Sequence, residues 1–177
     1  MLTTEQKEKL VSNVRLRLVR EFPDINPAQA CLQSSFLVLH ELYKLNIRGV
    51  LQCGNMHWRA VAKEKDDGVS PTHYAMIWSP FEKRSLEAFL SGRMPEIHCW
   101  VGLVESQEII DITVKYFPMA WKIATGYDWL TKQPPDYLWH SVCDLEALDC
   151  MYEPIEAATH YGMQMLDVIV SQRKNKR

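Results

Sequence analysis

Residues 97–113, IHCWVGLVESQEIIDIT, read as two short β-strands joined at a polar turn, and this hairpin decides the fold. Ile97–Val104 and Gln107–Thr113 are rich in β-branched and aromatic residues, with Glu105 and Ser106 between them. Two registers are open. A Val104-Glu105 loop pairs His98 directly with Asp111. A Glu105-Ser106 turn sets His98 against Thr113, with Asp111 as the diagonal neighbour. Both put the imidazole and the carboxylate on one face of the sheet, within hydrogen-bonding reach. A three-residue loop would separate them, and a bulge could restore them.

Upstream lies NPAQACLQSS, residues 26–35, at the start of the longest apolar helical stretch. Asn26 can cap this helix and Pro27 suits its first position. Between Ala28 and Leu45 the polar residues Gln33, His40, Glu41 and Lys44 collect on a narrow stripe. Leu32, Phe36, Val38, Leu39, Leu42 and Leu45 cover the remaining circumference, the pattern of a helix buried on most sides. Cys31 falls within about the first turn and a half. The helix dipole fades over that distance, so thiolate formation there needs a base as well.

Cys31, His98 and Asp111 supply the parts of a nucleophilic site. A carboxylate on one imidazole nitrogen fixes the ring's tautomer and orientation, and the other nitrogen takes the thiol proton and later returns it to a leaving group. The backbone N–H of Cys31 is the natural first oxyanion donor. Asn26 and Gln29 are both open as the second.

With these residues in place, the chain resembles the transglutaminase-like branch of the papain-like cysteine hydrolases. That branch sets a Cys at a helix start, followed by one strand carrying H-x-W-V and another carrying I-D-x-T. Here these are Cys31, then His98 with Trp100 and Val101, then Asp111 with Thr113. Ala30 and Leu32 flank the Cys where such proteins often carry a Trp. The likeness spans about Asn26 to Thr113. It implies an α+β fold with N-terminal helices, the central one carrying the Cys, packed on an antiparallel sheet carrying His and Asp. It also implies acyl transfer through a thioester. Peptide or amide hydrolysis is the preferred subtype, with transamidation or N-acetyl transfer as alternatives.

The chain has 177 residues, 47% of them apolar, and a formal charge of −2, which fit a single domain over residues 1–177. That charge provides no general drive toward nucleic acid, and the RKNKR terminus reads as a solvated tail. MLTTEQKEKL lacks the pattern of a signal peptide and no run of about 18 apolar residues appears, so a cytoplasmic protein without a membrane segment is expected. Five cysteines at irregular spacing argue for reduced thiols over a disulfide framework. Cys53 with His57, and His140 with Cys143, are the nearest approaches to a metal pattern, and no paired knuckle or HExxH occurs. No metal or cofactor is therefore expected, and the partner would be a peptide or a small amide or acyl substrate. The sequence fixes no oligomeric state.

Elsewhere, Thr3–Glu21 reads as an amphipathic helix built on Leu10, Val14, Leu16 and Leu18. Arg48–Cys53, Met56–Lys63 and His73–Ser79 read as strands, the last two separated by the turn KEKDDG. Ser85–Gly92 and Pro154–Gln172 read as helices. Met163 and Met165 read as core filler in the last helix, where Gly162 would allow close approach of another element. Gly126–His140 reads either as an irregular loop over the core or as a lid using Trp129, Tyr137 and Trp139. In the latter role the aromatics could equally serve a non-catalytic binding module, the competing function.

Overall fold

A computed structural model describes residues 2–60, 73–90 and 97–174. Two helices open the chain, α1 over Thr4–Glu21 and α2 over Cys31–Lys44. Strands β1 (Gly49–Arg59) and β2 (His73–Met76), helix α3 (Lys83–Leu90), and strands β3 (His98–Leu103) and β4 (Glu108–Asp111) follow. Helix α4 (Phe117–Thr125), strands β5 (Leu138–Ser141) and β6 (Cys150–Pro154), and helix α5 (Glu156–Lys174) complete it. All the strand pairings are antiparallel, in the order β2-β1-β3-β4-β5, with β6 also pairing along β1. The result is the expected α+β arrangement of helices on an antiparallel sheet.

β1 is the organising strand. Its first half pairs with β3 from Gly49 opposite Leu103 to Gly54 opposite His98, and its second half pairs with β2 and β6. Where two strands were expected, over Arg48–Cys53 and Met56–Lys63, one continuous strand runs through Gly54 and Asn55. Its neighbours on the sheet supply the ladder partners that local sequence cannot reveal. Residues 61–63 of the second expected strand, the KEKDDG turn, residues 91–92 of the expected Ser85–Gly92 helix and the end of the basic tail lie outside the described residues.

Alternation along the strands splits the interior in two. One face carries Met56, Trp58, Trp100 and Tyr152, which pack with Phe117, Trp121 and Trp129. The other carries Val101, Leu103 and Ile110 under Leu10, Val14 and Leu18 of α1 and Leu37, Val38 and Leu42 of α2. A third cluster joins Cys31 and Leu32 of α2 to Leu51, Cys53 and Cys99 of the sheet and to Ala158 and Leu166 of α5.

Several expectations change. Leu16 of α1 is exposed and Val11 is buried instead, because the stripe facing α2 runs through positions 10, 11, 14 and 18. Met163 is exposed, while Met165 packs against the third cluster. Of the two readings of the 126–140 segment, the irregular loop over the core holds as far as β5. Trp129 enters the core beside Trp121 and Tyr74, Trp139 lies on β5 in the opposite core, and Tyr137 packs with that second core. These rings fill the two cores, and none belongs to the cluster around Cys31.

Gly162 does permit the expected close approach: a Cβ there would stand 2.5 Å from Sγ of Cys53. Alanine normally favours a helix over glycine by about 1 kcal/mol. Gly162→Ala should nonetheless destabilise the protein by about 1–3 kcal/mol through overpacking, and Cys53→Ala should relieve that penalty. Urea unfolding of the two single variants, the double variant and the parent checks this. Equal midpoints for parent and Gly162→Ala would mean that α5 does not press on β1.

Candidate active site

The start of α2 differs from expectation in a way that changes the position of the thiol. Asn26 does act as a cap, accepting from the Ala28 N–H at 3.0 Å, but it caps a single 3-10 turn over Pro27–Gln29. The α-helix begins afresh at Cys31, with Ala30 as an N-cap that offers no side-chain bond. Cys31 is therefore the first residue of the helix, where backbone N–H groups lack intrahelical acceptors and the dipole acts most strongly. Asn26 is occupied through its Oδ1 and Gln29 is exposed, so neither is positioned as a second oxyanion donor by any contact.

His98 opens β3 and Asp111 closes β4. Val101 stands opposite Ile110 and Gly102 opposite Ile109, the register that follows from a turn centred on Glu105-Ser106. His98 and Asp111 thus share the sheet face as diagonal neighbours. Nε2–H of His98 donates to Oδ2 of Asp111 at 2.6 Å, with both side chains only 1% exposed.

Asp111 has four donors, which fill the lone-pair sites of its two oxygens. Tyr152 O–H reaches Oδ2 at 2.8 Å, alongside the His98 bond. The backbone N–H of Thr113 and its hydroxyl reach Oδ1 at 2.8 Å and 2.6 Å. Burial alone would raise the pKa of this carboxyl, but His98 and Thr113 outweigh it and hold the group below its usual range. Thr113 was legible as the last letter of I-D-x-T. Tyr152 was not, because it lies 41 residues downstream on a strand with little sequence signature.

The Trp of H-x-W-V also has a role. Trp100 stacks on His98 with centroids 6.0 Å apart and planes 22° apart, and its indole N–H is fixed by Oε1 of Gln52 at 2.7 Å. Phe117 and Tyr152 meet the imidazole at larger angles. These rings hold the imidazole from the sides.

Nδ1 of His98 is buried and has no hydrogen-bond partner, so it is the ring nitrogen left for a thiol. Cys31 lies beside it and is 8% exposed, its S–H pointing toward the carbonyl of Ile97 at 3.9 Å. The sulfur is not yet in hydrogen-bonding geometry with Nδ1, but the two groups act on each other. A hydrogen bond from Cys99 outweighs burial and, together with His98, drives the Cys31 pKa well below its ordinary value. Burial lowers the pKa of His98, but Asp111 and Cys31 more than compensate and raise it to about 10. Both shifts run in the direction that favours a thiolate beside an imidazolium. Adjacent residues of a strand point to opposite faces, yet His98 and Cys99 both reach Cys31 because the sulfur sits at the end of β3, level with Ile97.

The three residues singled out in the sequence are thus brought together. Two open grooves elsewhere, one beside Arg59 and Asp149 and one beside Ile155 and His160, are lined by none of the three. Among the described residues, no helix is long and apolar enough to cross a membrane, and no three His, Cys, Asp or Glu side chains are grouped to hold a metal ion.

His98 should remain protonated until about pH 10 in the native protein, as read by NMR titration of its ring nitrogens. In Asp111→Asn the main opposing charge is gone and burial takes over, so its titration should move down by several pH units. An unchanged His98 midpoint in that variant would break the link between the two groups. No family model matches the chain, nor does any curated protein or solved structure, so the site is read from its own geometry.

Proposed function

We propose that this protein is a cysteine-nucleophile hydrolase acting on a peptide or small amide, built on a transglutaminase-like version of the papain-like fold. The observation that carries the reading is the buried His98–Asp111 hydrogen bond, which leaves Nδ1 unpartnered beside a thiol of lowered pKa. A carboxylate held by four donors has no reason to be buried with an imidazole for packing alone, since a buried ion pair gains little over apolar side chains of equal volume.

In this reading Cys31 attacks the substrate carbonyl carbon as a thiolate. The developing oxyanion is met by the N–H of Cys31 at the helix start, while His98 gives its proton to the departing amine and leaves a thioester. His98, now neutral, takes a proton from water, whose oxygen attacks the thioester, and Cys31 departs as thiolate. Asp111 stays ionised and keeps the ring oriented through both halves.

A second reading uses the same first half and a different acceptor. His98 and Asp111 are almost fully covered and the thiol is only 8% exposed, which limits access of water to the thioester. An amine delivered by its own binding energy would then compete, giving transamidation or N-acyl transfer. The two outcomes are separated by whether product yield rises with added amine.

Cys31→Ala should abolish turnover of acyl substrates, and Asp111→Asn should retain a small fraction, lower by about 10⁴-fold if this site behaves like other triads. Iodoacetamide labelling of Cys31 should begin well below the pH at which ordinary thiols react. The imidazolium contribution to that reactivity should fade as pH rises through about 10, because His98 loses its proton there. Labelling of Cys31 no faster than that of exposed Cys143 at pH 6 would sink the catalytic reading.

A further inference from the structure

Behind the nucleophile stand two further thiols, neither of which touches the substrate in acyl transfer. Cys99 and Cys53 face each other across β3 and β1 in direct register, and their sulfurs are 3.0 Å apart, about 1 Å more than a disulfide bond. The Cys53 N–H donates to Oγ1 of Thr159 and its carbonyl accepts from the Ile155 N–H. Its backbone therefore turns away from Cys99, which makes this a cross-strand pair without mutual ladder bonds. Such pairs bring Cα atoms to about 4.5 Å, within the range a disulfide spans. Cys31 packs into the same buried cluster as both, with its sulfur at the Ile97 end of β3, the end that carries Cys99. Exposure falls from 8% at Cys31 to 1% at Cys99 and 0% at Cys53. An oxidant from solvent therefore meets Cys31 first.

We propose that Cys31, Cys99 and Cys53 form a relay that takes up oxidation by a hydroperoxide at Cys31 and stores it as a Cys53–Cys99 disulfide, returning Cys31 to its reduced form. The reactivity of Cys31 in this proposal rests on the thiolate–imidazolium reading of the site.

The steps balance. The Cys31 thiolate attacks the distal peroxide oxygen, an S–O bond forms, the O–O bond breaks, and the alkoxide leaves with the proton of His98 as an alcohol. Cys31 is now a sulfenic acid. Cys99 attacks that sulfur and its proton leaves with the hydroxide as water, giving a Cys31–Cys99 disulfide. Cys53 then attacks the Cys99 sulfur, Cys31 departs as thiolate, and the proton from Cys53 returns to His98. One hydroperoxide is reduced and two thiols are oxidised. The direction of the last step follows from leaving-group chemistry: the more acidic thiol departs faster and is the one left reduced, and Cys31 is the acidic member of the set.

Reduced protein is treated with hydrogen peroxide, quenched in acid, alkylated under denaturing conditions and mapped by non-reducing peptide mass spectrometry. The expected product is a linked Cys53–Cys99 peptide with Cys31 still alkylated. Cys53→Ala should stop at a Cys31–Cys99 link, and Cys31→Ala should form the Cys53–Cys99 link at least roughly tenfold more slowly. The relay is overturned if the parent accumulates sulfinic acid at Cys31 while Cys53 and Cys99 stay free, or if Cys31→Ala forms the disulfide at the parental rate. Where a buried variant fails to fold, a time course of the parental map decides: a Cys31–Cys99 link that rises and falls ahead of the Cys53–Cys99 link is expected, and a Cys53–Cys99 link formed without it overturns the relay. A Cys53–Cys99 link that depends on Cys31, in a protein that turns over no acyl substrate, would uphold the relay and remove the hydrolase reading. Turnover without linkage would do the reverse.

Discussion

The hydrogen bond from His98 to Asp111 is the interaction on which the rest of the structure depends. Both groups are charged and almost fully buried, and a carboxylate taken out of water costs several kcal/mol unless its lone pairs are met. Much of the local architecture answers that requirement. The β3–β4 register sets the two side chains on one face, the turn after β4 folds the Thr113 N–H and hydroxyl onto Oδ1, and β6 carries Tyr152 up to Oδ2. Removing any of these donors leaves a lone pair of a buried anion unsatisfied.

The same demand explains the aromatic packing around the imidazole. A ring held by one hydrogen bond can still rotate about it, and Trp100, Phe117 and Tyr152 close that freedom from three directions. Trp100 is itself held by Gln52, whose amide lies across Gly102. A Cβ at Gly102 would stand 2.7 Å from Oε1 of Gln52, so that glycine gives the amide the space to reach the indole. Gln52, Trp100 and His98 thus form a chain of supports across two strands.

The pairing of His98 with Asp111 was legible in the sequence because side-chain parity along a strand survives either register of the hairpin. The buried character of α2 was legible from its narrow polar stripe. Its starting residue was not, because Asn26 and Pro27 signal a helix start that the chain uses for a separate 3-10 turn before restarting at Cys31. Strands β5 and β6 were missed for a different reason. Each is five residues or shorter, and LWHS and CMYEP carry no alternation strong enough to stand out, so only the neighbouring strands define them. The aromatic segment between Gly126 and His140 was legible as a loop over the core, but its division was not: a cluster in sequence separates in space, because the chain crosses from one core to the other on its way into β5.

The stretch from Asn26 to Thr113, which carries Cys31, His98 and Asp111, does not contain everything the site needs. Tyr152 completes the shell around Asp111, and Thr159 and Gly162 of α5 fix Cys53 by its backbone and by the space left for its sulfur. The thiol pair behind Cys31 is thus held from the C-terminal helix, while the imidazole and carboxylate are held from the opposite face of the sheet. Cys31 stands where these two systems meet, at the end of β3. Cys99 and His98 both act on its sulfur to lower its pKa. A thiolate buried to this degree would be costly with either alone, and burial raises its pKa in proportion to what it lacks. The strand end is the place in this fold where both can reach it, because there the alternation that separates His98 from Cys99 no longer separates either from the start of α2.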